Sequence, residues 1–130
     1  MPRREEIRAG ELPAPMGLYT DAVRWGDLLF VSGCGPIDAD GALVGEGDLA
    51  EQTRQVLRNI GAILATVGAG FDDIVKETAY VTDIGQRRAM HPVRREFFGA
   101  ARPASTLVEV SQLAVPGMMV EIDVIAGLRT

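Results

Sequence analysis

Near its C-terminal end the chain reads Val120-Glu121-Ile122-Asp123-Val124-Ile125. Branched apolar residues alternate with carboxylates, and only an extended strand sorts a period of two onto separate faces. Val120, Ile122 and Val124 then point one way, and Glu121, Asp123 and Ile125 the other. The preceding run, Ser105 to Val110, alternates as well, with Thr106, Val108 and Val110 opposite Ser105, Leu107 and Glu109. If helices cover the valine faces, the far side of the sheet collects Ser105, Glu109, Glu121 and Asp123. A face mixing apolar and acidic residues predicts a subunit interface enclosing a polar pocket.

The chain has 130 residues, enough for one well-filled core, so a single domain over 1–130 is expected. Its start, Met1-Pro2-Arg3-Arg4-Glu5-Glu6, has basic residues but no apolar stretch behind them, unlike a secretory signal. No apolar run reaches the length of a membrane span. A cytoplasmic protein without membrane partners is expected, and the single Cys34 agrees with a reducing compartment. The net charge of −5 gives little support to a nucleic-acid partner, whose binding draws on a basic surface.

Asp48 with Glu51 three residues on reads as the start of a helix. Leu49, Thr53, Val56, Leu57, Ile60, Ile63, Leu64 and Val67 then recur at helical spacing. Gln52, Arg54, Gln55, Arg58 and Asn59 take the other sides, and Gly68 stops the helix. Leu28 to Val31 reads as a buried strand, and Ile74 to Thr82 as a strand with Val75, Ala79 and Val81 on one face. A second helix is predicted over Met90 to Phe98, with Pro92 in its first turn and His91 near the cap. Strands over 105–110 and 118–126 complete an α+β layer with two helices on one face of a mixed sheet.

Four segments, in order, resemble the Rid (YjgF) family. Gly17-Leu18-Tyr19-Thr20-Asp21-Ala22-Val23 is similar to the family's Gly-Pro-Tyr-Ser-Gln-Ala-Val, and Phe30-Val31-Ser32-Gly33 to its Phe-Val-Ser-Gly strand. Gln52-Thr53 with Asn59-Ile60 matches its helix, and Val120-Glu121-Ile122 its last strand. The resemblance covers nearly the whole chain. It implies a chorismate-mutase-like fold with a six-stranded mixed sheet, and homotrimers with pockets between subunits. The activity it implies is hydrolysis of small enamines or imines, without a cofactor. Some members carry the label of ribonuclease or translation inhibitor.

By position, the resemblance makes Glu121 the carboxyl group that handles water, Tyr19 the pocket tyrosine and Gly33 a backbone contact. Four positions depart from the family pattern. Ser105 stands where an arginine grips a substrate carboxylate, Leu107 where Cys is common, His91 where Asn is common and Arg94 where an aromatic is common. A hydrogen bond to a charged group contributes about 1.5–3 kcal/mol, and a serine cannot supply the charge. Simple 2-imino acids are therefore poor candidates unless Arg94 or Arg102 reaches the site. The reading is a divergent enamine or imine deaminase, with a non-catalytic small-molecule-binding homologue as its alternative and ribonuclease or translation-inhibitor activity as a weaker one.

Each candidate residue also has a plainer role. Glu121 either activates water or pairs with a backbone amide or arginine at an interface. Asp123 reads as an interface or edge charge. His91 is the only histidine, so no metal set is expected, and capping or surface exposure explains it. Cys34 reads as a small packed residue at the end of the pocket strand. Tyr19 either lines the pocket or packs. Ser105 has no His-Asp partner pattern to make it a nucleophile.

Overall fold

Two crossovers that run the same way decide the architecture. The computed structural model describes residues 3–129. Six strands, β1 (Arg4–Ile7), β2 (Ala22–Trp25), β3 (Leu28–Cys34), β4 (Ile74–Val81), β5 (Ala104–Glu109) and β6 (Val120–Gly127), form one sheet in the order β1-β2-β3-β6-β4-β5. Strands β3 and β4 both pair antiparallel with β6, so they run parallel to each other, while β4 and β5 pair directly in parallel. Helix α1 (Leu49–Ala65) carries the chain from β3 to β4, and α2 (His91–Phe98) from β4 to β5. Two right-handed crossovers in the same direction place both helices on one face. The other face is open.

Asp48 caps α1 as expected, while the Glu51 carboxylate turns to Arg54 instead of closing a capping box. The Asp48 side chain accepts from the Glu51 backbone N–H at 3.1 Å, and Gly68 takes a φ of 72° past the helix end, where a side chain would be strained. Val56, Leu57, Ile60 and Leu64 are fully buried against Val120, Ile122, Val124 and Ala126 in one core. Each contributes roughly 1.5–3 kcal/mol by leaving water. Gln52 does not lie on a polar side. It is fully buried, donating to the carbonyls of Gly45 (3.2 Å) and Gly117 (2.9 Å) and accepting from the Met119 N–H at 2.7 Å. An amide satisfied on both ends can be buried cheaply.

A 3₁₀ turn over Ile84–Met90 leads directly into α2, where Pro92 lies in the first turn and His91 stands next to the cap residue, Met90. Three other expectations change. The run 28–31 is only half buried, with Leu29 and Val31 inward and Leu28 and Phe30 exposed. Val75 is the extra residue of a bulge in β4 and is exposed, so Ile74, Glu77, Ala79 and Val81 form the inward set. The third concerns β5. Its partners Ser105↔Glu77, Leu107↔Ala79 and Glu109↔Val81 put Ser105, Leu107 and Glu109 on the helix-facing side. Thr106 and Val108 take the open side. Ser105 and Glu109 therefore do not share a face with Glu121 and Asp123, which pair with Tyr80 and Thr78.

Candidate functional site

The candidate residues separate into two groups. The first gathers at the end of β3. Between the Val31↔Val124 and Cys34↔Ile122 pairs, β3 carries one more residue than β6, and this bulge holds Ser32 and Gly33. Glu121 lies across Gly33. A Cβ on Gly33 would sit 2.8 Å from Cδ of Glu121 and against its Oε2, so only glycine lets the carboxyl group lie there. A cavity of about 300 Å³ opens beside them, lined by Tyr19, Gly33, Cys34, Asn59, Met118 and Glu121 among others.

Its walls are fixed by the residues that carry the sequence motifs. Asn59 donates to the carbonyls of Gly35 (3.1 Å) and Ile37 (2.8 Å), holding the exit of β3 against α1. Ser32 Oγ donates to the Thr20 carbonyl at 2.6 Å, and buried Asp21 accepts from the Ala9 N–H at 2.8 Å and pairs with Arg8. Tyr19 is exposed, and its hydroxyl accepts from the Met16 N–H at 3.3 Å.

The Glu121 carboxyl group has no hydrogen-bond partner among the described residues. Burial, and then the neighbouring charge of Asp123, raise its pKa above the ordinary 4.5. An unpaired carboxyl group with raised proton affinity, beside an apolar cavity, can exchange a proton with a bound molecule or water. Cys34 behaves differently. It is buried, and desolvation with the charges of Asp21, Glu121 and Asp123 pushes its pKa up to about 12, so it is a packed thiol rather than a nucleophile.

The second group lies on the other side of the sheet, under the start of α2. A cavity of about 30 Å³ is lined by Arg87, His91, Arg94, Ser105 and Leu107, with Ala79 and Met90 behind them. His91 is exposed and Leu107 half-buried. Arg94 does reach Ser105's neighbourhood: both bond Oε1 of Glu77, Arg94 through Nη2 and Ser105 through its hydroxyl at 3.0 Å. Arg102 does not. It donates to the carbonyls of Gly99 (2.7 Å) and Ala101 (2.8 Å), beside a separate cavity of about 200 Å³. Glu109 accepts from the Ile84 N–H at 3.0 Å and serves the turn before α2.

Sequence reasoning missed Glu77 and Arg87. Glu77 had a legible signal, since it falls at the parity of Ala79 and Val81, where a core residue is expected. No group of three or more His, Cys, Asp or Glu among the described residues could hold a metal ion, and no described helix is long and apolar enough to cross a membrane.

A six-stranded mixed sheet with two helices on one face, and a carboxyl group laid over a glycine bulge, define a protein of the Rid or YjgF type. The chain belongs to the family described as Endoribonuclease L-PSP, whose sequence model matches residues 10–128. A RutC family protein of Pyrococcus horikoshii is 40% identical over 95% of this chain and 97% of its own length. Reactive Intermediate Deaminase A, chloroplastic, of Arabidopsis thaliana is 32% identical over 97% of this chain and 67% of its own. A solved structure from Yersinia pestis, titled as a protein of unknown function of the conserved Rid protein family, superposes with a TM-score of 0.90. It is 38% identical and covers 96% of this chain and 99% of its own.

Proposed function

We propose that this chain is a divergent Rid-family hydrolase that converts a small imine or enamine to a carbonyl compound and ammonia. Glu121 carries the proposal. Its carboxyl group lies unpaired over Gly33 at the wall of the larger cavity, with raised proton affinity. Water adds to the imine carbon while the nitrogen takes a proton, and the resulting carbinolamine expels ammonia to leave the carbonyl. Glu121 moves the proton in each step, a role worth about 10²–10⁴ in rate for a positioned acid or base. The deaminase name of the Arabidopsis relative supports this class of reaction.

The reading places one domain over the chain and three pockets between the subunits of a cytoplasmic homotrimer. No cofactor takes part, and a small metabolite is the partner. Two observations support a shared pocket. The Glu121 and Ser105 groups lie on opposite faces of one sheet, so one chain cannot bring them together. The open face also exposes Trp25, Leu28 and Phe30, an apolar surface suited to burial against another copy.

Two variants test this. Glu121→Gln should lower release of ammonia from small imines, generated in the assay from amino acids, by about 10²–10⁴ without changing the fold. Unchanged turnover sinks the role of Glu121. Leu107→Trp should fill the smaller cavity and also abolish turnover. Unfolding and refolding the two inactive variants together should then restore about one pocket in four, because each pocket draws its halves from different copies. No recovery would mean the halves do not meet.

A further inference from the structure

We propose that Glu77 sets the charge selectivity of the smaller cavity: by neutralising Arg94 it makes the cavity receive an uncharged, carboxamide-like end of the substrate rather than a carboxylate. This rests on the reading that the cavity forms one half of the substrate pocket. Glu77 is 1% exposed on β4, and a carboxylate so placed is tolerated only when paired. Arg94 reaches it from α2, crossing over the Phe98 ring, while Ser105 bonds the same oxygen from β5. Two elements, α2 and β5, thus converge on Oε1 of one buried acid of β4.

The pairing uses up the charge of Arg94. A ligand carboxylate entering here would bring a second negative charge close to the buried Glu77, and like charges repel. Arg87 and His91 also line this cavity, but both are exposed. Arg87 rests on the Ile84 carbonyl at 3.3 Å, and any attraction it offers an anion is screened by water.

What the cluster still lacks is a donor and an acceptor at once. Oε2 of Glu77 and Nε of Arg94 are both buried without a partner, and the Ser105 hydroxyl, its proton committed to Glu77, keeps lone pairs free. A carboxylate accepts only. A carboxamide has the same planar shape, with a carbonyl for an Arg94 N–H and an NH₂ group for the Ser105 hydroxyl, both of which line the cavity. A volume of about 30 Å³ suits such a small group.

Pyruvamide and pyruvate are matched probes, differing only in this end. Titration of the assembled wild-type protein by calorimetry should show pyruvamide binding at least about tenfold tighter than pyruvate, the scale of one hydrogen bond to a charged group. Glu77→Gln should free Arg94 and tighten pyruvate by about tenfold or more, and Glu77→Gln with Arg94→Gln should remove that gain. Ser105→Ala, a change on an exposed residue, should weaken pyruvamide and leave pyruvate unaltered. Equal or tighter binding of pyruvate by the wild type overturns the proposal. So does an unchanged preference in Ser105→Ala, or in Glu77→Gln if that variant folds, and so does failure of both probes to bind. Because binding is read without turnover, a failed catalytic role for Glu121 leaves this test intact.

Discussion

The two cavities treat an ionisable group in opposite ways. On the open side of the bulge in β3, Glu121 is half-buried and unpaired, and its environment raises its pKa. Under α2, Glu77 is more deeply buried, yet it is held by Arg94 and Ser105. A carboxyl group without a partner is free to exchange a proton, whereas a paired one organises its neighbours. The proposed hydrolase would thus use the first cavity for reaction and the second for recognition.

The largest effect should come from separating the cavities. Phe30→Asp puts a charge in the middle of the open face, and light scattering should show the assembly falling to single chains, with turnover lost. An intact assembly would show that this face is not the contact. Leu57→Ala should lower unfolding stability by about 2–5 kcal/mol, because it leaves a void in the core that both cavities share. Chemical denaturation measures it, and a much smaller loss would mean that α1 is not the common support.

Gly33→Ala sharpens the comparison further. The added methyl must push the Glu121 carboxyl group aside, but that group is the end of a flexible side chain. Turnover should fall by about a hundredfold for a displacement near 1 Å, with the melting temperature nearly unchanged. A large loss of stability instead would point to a backbone clash.

The smallest effect is one of pH. Because Glu121 binds its proton more tightly folded than unfolded, wild-type stability should decline as pH rises from the unfolded carboxyl pKa through the higher folded one. Glu121→Gln lacks this decline. The two proteins should differ little below that window, and the variant should be the more stable above it. Parallel stability curves across the range would show that the group is not perturbed.

How far these features were legible in the sequence varied with how local their cause is. The Asp48 cap, the apolar stripe of α1 and the alternation of β6 follow from residues within a few positions of one another. They formed as expected. Gln52 was misplaced because its partners, Gly117 and Met119, are 65 and 67 residues away. Val75 was misplaced because a bulge shifts parity, and nothing in Ile74-Val75-Lys76 announces one. The eight candidate residues all came to line cavities, but two cavities rather than one. Glu121, Tyr19, Gly33 and Cys34 line the first, and His91, Arg94, Ser105 and Leu107 the second.

By itself, the sequence determined which residues travel together: Ser105 with Leu107 and Glu109, and Glu121 with Asp123. Side-chain alternation is a local property of an extended chain. Only the tertiary structure decided where each set looks. A strand's two faces become helix side and open side through its register with its neighbour, and one step of register exchanges them. The pairing of Ser105 with Glu77 turned β5 toward α2, and with it the residue in place of the family arginine turned toward Arg94.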